Sequence, residues 1–237
     1  MANKTKIEWT ECSWNPITGC TKISDGCQNC YAAAFAKRLM AMHNPRYLNG
    51  FDVTIHEDLI EAPLKWKEPR KIFVNSMSDI FHEDLSDEVI LSIFKTMNEA
   101  SWHTFQVLTK RSERLRILCD RIVWTDNIWM GVTIESNRYL RRVDDLRHTR
   151  AKVKFISAEP LLSDLDNLNL NGIDWLIVGG ESGQHCRPMQ EKWALSLRDK
   201  AQISGVPFFF KQWGGTNKKK AGRTLQGQTY NEYPQKK

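Results

Sequence analysis

The sequence predicts an α/β protein whose parallel strands and helices alternate to build a full or partial (βα) barrel. Three observations predict this fold class. Short apolar runs rich in β-branched and aromatic residues recur along the chain, amphipathic helical patterns separate them, and the centres of the runs lie roughly 22 to 32 residues apart, as in βα units. An open Rossmann sheet is less favoured, because no Gly-x-Gly-x-x-Gly turn follows the first strand.

Six strands are predicted from the apolar runs. They cover residues 72–75, 105–108, 128–133, 153–156, 175–178 and 206–210. The runs are short, and Val, Ile and Phe are frequent in them, which is typical of strands buried on both faces of a parallel sheet. Their regular spacing within one chain of 237 residues favours a single barrel domain.

Three helices are predicted from apolar residues at helical spacing. Ser86 is placed to act as the N-cap of the second helix. The three apolar stripes are Tyr31, Phe35, Leu39 and Met42; Val89, Ile90, Ile93, Phe94 and Met97; and Trp193, Ala194, Leu197 and Ala201. We interpret all three stripes as faces that pack on the protein core.

The loops that follow the predicted strands carry the polar residues expected of an active site. A carboxylate comes after each of four strands, and three cations occur in the same set of loops: Asp79, Glu135, Glu159 and Glu181, with Lys110, Arg111 and Lys211. Because the carboxyl ends of parallel strands meet at one face of a barrel, we expect these side chains to converge there.

Three cysteines lie close together with the spacing C-x6-C-x2-C, just before the first predicted helix: Cys20, Cys27 and Cys30. A disulfide uses two thiols, a tetrahedral zinc site usually needs four ligands, and a [4Fe–4S] cluster that keeps one iron open uses three cysteines. A fourth zinc ligand could come from another part of the chain, namely Cys12, His43 or Cys186. Both kinds of metal centre therefore stay open at this point.

Charge is concentrated at the end of the chain. The formal net charge is +6, and from Gly214 onward six lysines and arginines face one acid, Glu232, so the rest of the chain is nearly neutral. We therefore divide the chain into a barrel domain of residues 1–213 and a basic, flexible tail of residues 214–237 that holds polyanions without specificity. The absence of a secretory signal and of any apolar run near ~18 residues predicts a reducing, cytoplasmic location without disulfides.

Short motifs are spread over the chain from Trp9 to Gly214. They are Trp9-Thr10, Trp14-Asn15-Pro16, Gly19-Cys20, Cys27-x-x-Cys30-Tyr31-Ala32, Val74-Asn75-Ser76-Met77-Ser78-Asp79, Leu108-Thr109-Lys110-Arg111, Gly131-Val132-Thr133-Ile134-Glu135, Ser157-Ala158-Glu159-Pro160-Leu161, Gly179-Gly180-Glu181-Ser182-Gly183, Arg187-Pro188-Met189 and Phe210-Lys211-Gln212-Trp213-Gly214. In this combination the chain resembles an uncharacterised phage and bacterial family that is described as radical-SAM-like.

The resemblance implies a partial TIM-type (βα) barrel with a [4Fe–4S] cluster on Cys20, Cys27 and Cys30. The open iron would chelate the amino and carboxylate groups of S-adenosylmethionine (SAM), and one electron would cleave the sulfonium to give a 5′-deoxyadenosyl radical that takes hydrogen from a substrate. An electron donor is then a required partner.

The chain departs from the common radical-SAM pattern at three points. Three additional residues separate its first two cysteines, Asn29 rather than an aromatic residue precedes the last cysteine, and Gly179-Gly180-Glu181 comes late in the chain. In the common pattern, the glycine-glycine-glutamate motif follows an early strand. These departures bear on SAM cleavage more than on cluster binding.

Within the resemblance, side chains of the strand-end loops are assigned to the cofactors and to the reaction. Asp79 would accept from the SAM amino group, Lys110 or Arg111 would pair with its carboxylate, and Glu135 and Glu159 would accept from ribose hydroxyls. Tyr31 is grouped with these cofactor-binding residues. Glu181 and Lys211 would be the catalytic pair and would face the substrate together with Trp213.

The predicted function is a radical-SAM-type enzyme that modifies or repairs a nucleic acid or nucleotide. The substrate class is inferred from the basic tail and from a loose similarity to radical enzymes that repair DNA. One alternative is a zinc-stabilised barrel that binds or hydrolyses nucleic acid and holds Mg²⁺ on its carboxylates. Another is an interaction protein of a phage in which the metal is purely structural.

Overall fold

The computed structural model describes residues 3–235 and contains one large curled sheet with helices packed on its outer side. Its strands are β1 (Asn3–Lys4), β2 (Cys12–Trp14), β3 (Ile17–Thr18), β4 (Thr54–Ile55), β5 (Lys71–Val74), β6 (Thr104–Thr109), β7 (Ile128–Thr133), β8 (Val153–Ala158), β9 (Trp175–Gly179) and β10 (Phe208–Gln212). Its α-helices are α1 (Tyr31–Ala41), α2 (Glu57–Ile60), α3 (Asp87–Glu99), α4 (Ser112–Leu118), α5 (Arg141–Arg147), α6 (Glu191–Ile203) and α7 (Lys218–Ala221). None of the helices within the described range is long and apolar enough to cross a lipid bilayer.

Seven strands run parallel in the order β2-β5-β6-β7-β8-β9-β10, and β1 pairs antiparallel with β2 at one edge. This curled half-barrel confirms the predicted partial (βα) barrel. All six predicted strands are present. The first parallel strand, β2, was missed, because three residues are too few to form a recognisable apolar run.

The concave side of the sheet is filled by aromatic side chains. In the parallel strands, alternate residues point to opposite faces, and the inward-pointing set includes Phe73, Trp129, Phe155, Trp175 and Phe209, which pack as one cluster. Gly131 lies in the same layer, and a Cβ there would strike the Phe155 ring, so glycine makes room for that ring. Aromatic rings fill most of the interior, and Gln106 is a buried polar side chain among them, bonded to the Trp9 carbonyl (3.3 Å).

The helices confirm two of the three predicted core stripes. Ser86 caps α3 by accepting a hydrogen bond from the Val89 amide (3.4 Å), and the apolar residues of α3 and α6 are buried or half-buried. The prediction for α1 was wrong: Tyr31 and Phe35 are 54 % and 46 % exposed. This helix packs through its alanines, because the small side chains allow a close approach to Met77.

The chain after Gly214 packs beside β10, which corrects the expectation of a flexible tail. The Phe210 amide donates to the Tyr230 carbonyl (3.1 Å), and the Glu232 amide donates to the Phe208 carbonyl (3.2 Å). The segment therefore runs antiparallel to β10 and covers an edge whose backbone groups would otherwise lack partners.

Side chains of the same segment join the core. Leu225 is fully buried, the Trp175 indole donates to the Glu232 carbonyl (2.8 Å), and the Tyr233 ring packs against Trp175 with ring centres 5.1 Å apart. These few apolar residues hold the segment although its charge suggested a solvated tail. The domain boundary at residue 213 stays a prediction, and Lys236 and Lys237 lie outside the described residues.

Candidate functional site

The cysteine loop, residues 19–30, lies across the carboxyl ends of the parallel strands. Its entry is fixed by backbone hydrogen bonds from Gly19 to the Met77 carbonyl (2.9 Å) and from Cys20 to the Phe51 carbonyl (3.1 Å). Gly19 has a φ of 90°, and a Cβ at this position would strike the Asp52 carbonyl, so only glycine fits there. Three further sets of contacts hold the loop to the strand ends.

The first set binds Thr21 to the loops after β5 and β6. The Thr21 amide donates to His82 Nε2 (3.2 Å), and Arg111 Nη2 donates to the Thr21 hydroxyl (2.7 Å). Arg111 Nε also donates to Glu83 Oε2 (2.6 Å), and this ion pair lowers the pKa of Glu83 to about 2. Arg111 Nη1 is 3.6 Å from the sulfur of Cys20, so the same guanidinium that binds Thr21 also contacts the first thiol of the loop.

The second set places Glu135, after β7, beneath the middle of the loop. Glu135 is fully buried, and its carboxylate accepts from the Ser24 hydroxyl (2.5 Å) and from Arg142 Nη1 (2.7 Å). Gly26 lies directly against this carboxylate, and any Cβ there would collide with it. Glu135 therefore supports the loop, and its oxygens already have partners.

The third set joins the end of the loop to the segment after β9. Arg187 donates to both oxygens of Glu181, at 2.9 and 2.5 Å, and also to the Asp25 carbonyl (2.9 Å) and to Gln28 Oε1 (3.2 Å). Asn29 Nδ2 donates to the same Glu181 carboxylate (3.0 Å). The Glu181 side chain is only 4 % exposed, so it lies between protein groups.

The three thiols of the loop differ in their environments. Burial, and then the charge of Asp79, raises the pKa of Cys20 to about 11, although the charge of Arg111 acts in the opposite direction. Burial would also raise the pKa of Cys27, but the charge of Lys110 and hydrogen bonds from the loop lower it below its ordinary value. Cys27 is thus more readily ionised than Cys20.

Within residues 3–235, no three histidine, cysteine, aspartate or glutamate side chains are arranged so that they could hold a metal ion. A tetrahedral zinc site needs ligands that converge on one point. A cubane cluster does not, because each cysteine binds a different iron. Cys12 and Cys119 are buried away from the loop in the core, and Cys186 is half-buried beside Arg187.

Four other predicted residues surround the cysteine loop at the mouth of the half-barrel. Lys211 Nζ donates to both oxygens of Glu159, at 2.8 and 2.9 Å, and both side chains keep some exposure. The Tyr31 hydroxyl donates to the Ser76 carbonyl (2.6 Å); burial of that hydroxyl, then the charges of the third cysteine and Glu159, raise its pKa. Lys110 forms no salt bridge within the described chain, and its Nζ is 3.5 Å from Thr133 Oγ1.

Asp79 has a more internal position than predicted. Its carboxylate accepts from the Thr109 hydroxyl (2.7 Å), the Lys110 amide (3.0 Å) and the Phe81 amide (3.0 Å), and it is 6 % exposed. Oδ2 accepts the Lys110 amide and lies 3.8 Å from Arg111 Nη1, an ion pair beyond hydrogen-bond distance, so it keeps capacity for one further donor. The Asp79 carboxylate also orients the backbone after β6.

Several residues that build this site were not predicted from the sequence. His82, Glu83 and Arg142 stand in no recognisable motif, and their partners lie 7 to 62 residues away along the chain. Arg187 lies in a quoted motif, Arg187-Pro188-Met189, to which no role was assigned. The sequence did show a loop with three cysteines and two glycines, and an acid after each of four strands. These features predict that the loop and the acids meet, but they do not reveal which acid holds which loop residue.

The fold, a partial TIM-type barrel, is similar to that of spore photoproduct lyase. The structure of that lyase complexed with dinucleoside spore photoproduct superposes with a TM-score of 0.53 at 14 % sequence identity, over 85 % of this chain. A variant with bound AdoMet and dinucleoside spore photoproduct gives a TM-score of 0.51 at 13 % identity. In both cases the chain spans 64 % of the length of the lyase. No curated protein matches the sequence.

One family model matches almost the entire sequence. The match covers residues 4–234 and therefore includes the cysteine loop, every strand-end loop and the segment beside β10. The chain belongs to the family described as "protein of unknown function (DUF5131)".

Proposed function

We propose that this protein is a radical-SAM-type enzyme that binds a [4Fe–4S] cluster through Cys20, Cys27 and Cys30 and acts on a nucleic acid or nucleotide. The observation that supports this most is the combined position of the three thiols. They stand on one loop at the mouth of a half-barrel, next to an ammonium group, Lys110, that has no carboxylate partner in the described part of the chain.

The residues of the loop suit such a cluster. Three cysteines leave one iron of a [4Fe–4S] cluster without a protein ligand. Arg111 would offset the charge of the Cys20 thiolate, and Lys110 and Ser24 already favour the thiolate of Cys27. When bound, the cluster would supply the electron that cleaves the SAM sulfonium and starts hydrogen abstraction from the substrate.

Lys110, Asp79 and Glu159 are the groups that we propose to contact SAM. Lys110 would pair with its carboxylate, Asp79 Oδ2 would accept from its amino group, and Glu159 would accept from a ribose hydroxyl. Lys211 keeps the Glu159 carboxylate in place with two hydrogen bonds and would meet the substrate at the mouth. Tyr31 would line the space between the last cysteine and Glu159.

Glu135, Glu181 and Arg111 take a different role in this proposal from the one that the sequence suggested. Their charged atoms are engaged with the cysteine loop or with the side chains that hold it. We therefore propose that these three residues act by holding the loop, and not through contacts with ribose, the SAM carboxylate or the substrate.

The substrate class is proposed from charge. Residues 213–231 contain three consecutive lysines, Lys218 to Lys220, and no acid. The loop that carries them starts at the mouth, because the Gly215 amide donates to the Glu181 carbonyl (2.8 Å). Spore photoproduct lyase, which shares the fold, has been solved with a dinucleoside photoproduct. A polyanionic nucleic acid or a nucleotide would suit a cationic loop at this position.

The test is anaerobic reconstitution with iron and sulfide, followed by metal counting. We expect about four irons and four sulfides per chain, SAM-dependent changes in the spectrum of the reduced cluster, and release of 5′-deoxyadenosine. Cys20→Ala, Cys27→Ala and Cys30→Ala should each lose most of the iron, whereas the matched control Cys186→Ala, also half-buried, should keep it. Lys110→Ala should keep iron but bind SAM about tenfold or more weakly.

Three outcomes would contradict the proposal. A full cluster retained in Cys27→Ala would exclude this ligand set. A reduced cluster whose spectrum is indifferent to SAM would exclude the enzyme as described. Zinc in place of iron after strictly anaerobic preparation would favour the zinc-stabilised barrel, and its carboxylates would then be tested for Mg²⁺.

A further inference from the structure

We infer that Arg187 is a positioning residue that fastens the segment between Cys27 and Cys30 to the end of β9, and that it holds this segment in place before any cluster is present. The inference rests on the proposed function only in treating the cysteines as cluster ligands. The contacts themselves belong to the protein without a cluster.

The Arg187 guanidinium connects two parts of the chain that are far apart in sequence. On one side it binds both oxygens of Glu181 at the end of β9. On the other side it donates to the Asp25 carbonyl and to Gln28 Oε1, just before and just after Cys27. One side chain thus holds the Asp25 backbone and the Gln28 side chain, which lie on the two sides of Cys27.

The site requires an arginine. Four acceptors surround it, and the planar guanidinium offers five N–H donors in a fixed arrangement, whereas a lysine ammonium offers three from a single atom. Glu181 is almost fully buried, so its charge needs a cation close by. Asn29 adds a second link, because its amide donates to the Glu181 carboxylate and to the His185 carbonyl (2.8 Å).

This link spans the open side of the half-barrel. The cysteine loop follows β2 and β3, and β2 lies at one end of the row of parallel strands, whereas β9 is next to the last strand at the other end. No sheet hydrogen bonds join these two ends in the described strands. Without Arg187, this half of the loop would keep weaker links: Ser24 to Glu135, Asp25 to Tyr139 and Arg138, and Asn29 to Glu181 and the His185 carbonyl.

Amide hydrogen exchange of the cluster-free protein tests the inference directly. In Arg187→Ala, the amides of residues 25–30 should exchange about tenfold faster. In the wild type, local opening of this segment must first break the charged hydrogen bonds of Arg187, and in the variant this cost is absent. Arg147→Ala is a matched control: Arg147 is 28 % exposed against 31 % for Arg187, and it likewise binds one carboxylate and backbone carbonyls. Arg147→Ala should leave amide exchange at residues 25–30 unchanged and should speed exchange at residues 169–171 instead.

Metal uptake supplies the second readout. Arg187→Ala should incorporate iron several-fold more slowly during reconstitution, and Arg187→Lys should recover part of the exchange protection and of the uptake. Unchanged exchange at residues 25–30 in Arg187→Ala, or an equal increase in Arg147→Ala, would overturn the inference. If Arg187→Ala does not fold, Glu181→Gln replaces it, because it weakens the anchor of Arg187 at the end of β9, and unchanged exchange at residues 25–30 there would overturn the inference. Failure of the wild type to bind iron would refute the proposed function and leave the exchange result valid.

Discussion

At the residue scale, the acids after the strands have similar sequence positions but different surroundings. Glu135 is completely buried and bound by Ser24 and Arg142, whereas Glu159 keeps 18 % of its side chain exposed beside Lys211. A carboxylate with all its oxygens occupied inside the protein supports structure, and one that is partly exposed can meet a ligand. Exposure and hydrogen bonding therefore distinguish the enclosed Glu135 from Glu159, which is open to the mouth.

Glu181 offers a test of this distinction through pH. Burial would raise its pKa, but hydrogen bonds from Arg187 and Asn29 lower it below the ordinary value of 4.5. Because the folded pKa lies below the unfolded one, the carboxylate adds stability that is fully present above pH 4.5 and is lost as the pH falls through the lowered value. Glu181→Gln should reduce the free energy of unfolding at pH 7 by about 1.5–3 kcal/mol.

Urea unfolding at pH 7 and at stepwise lower pH measures this effect. The difference between wild type and Glu181→Gln should shrink once the pH passes below 4.5. The control is Glu99→Gln, whose carboxylate is half-exposed and only 3.8 Å from Lys95, and it should change stability very little. A constant difference at every pH would contradict the role given to the ionised Glu181.

At the scale of elements, residues 213–224, which contain α7 and its lysines, form a short loop with fixed ends. The Trp213 amide donates to the Gly222 carbonyl (3.3 Å) and its indole to the Thr224 carbonyl (2.7 Å), so the chain returns to its starting point after α7. Arg223 donates to the Lys211 carbonyl (2.9 Å) at the base of this loop. The helix α7 therefore belongs to a loop that is closed at its base and is not part of a free tail.

Replacement of the three α7 lysines by alanine should weaken binding of a single-stranded oligonucleotide. Three fewer phosphate contacts should make the slope of log K against log salt concentration shallower by about two. The control is a second triple variant that removes the same charge at the amino end of β8, namely Arg150→Ala, Lys152→Ala and Lys154→Ala. It should change the slope less. Equal effects of the two triple variants would show that only net charge matters. Fluorescence anisotropy at several salt concentrations measures both.

At the scale of the whole molecule, the open side of the half-barrel is bridged twice. At the mouth, the cysteine loop reaches from the β2 end of the sheet to Glu181. At the base, the Tyr233 ring packs on Trp175 and Phe209, and Lys71 Nζ lies 4.3 Å above the same ring. The segment beside β10 thus ties the last strands to β5 and completes the aromatic core.

Tyr233→Ala should therefore destabilise the entire domain, although it lies near the end of the chain. Loss of a half-buried aromatic contact should cost about 2 kcal/mol, which corresponds to a fall in Tm of about 4–8 °C for a domain of this size. Tyr233→Phe keeps the ring and should melt close to the wild type. Calorimetry of both variants measures the effect, and an unchanged Tm in Tyr233→Ala would restore the interpretation of residues 214–235 as a dispensable tail.

The sequence by itself determined the half-barrel, the position of the polar loops and the presence of three neighbouring thiols. These features depend on local patterns: alternating apolar runs and helical stripes, and cysteines within eleven residues of one another. The shortest strand, β2, was missed, because Cys12 to Trp14 offers too few residues to show a pattern.

Only the tertiary structure decided which strand-end groups hold the cysteine loop. The partners of Glu135 and Glu181 are 111 and 152 residues away in sequence, at Ser24 and Asn29. It also decided that α1 buries its alanines and that residues 230–232 pair with β10. A side chain's partners depend on which distant segments the fold brings within hydrogen-bond reach, and burial then sets how strongly an unpaired charge is penalised. Neither quantity is encoded in the local spacing of residues.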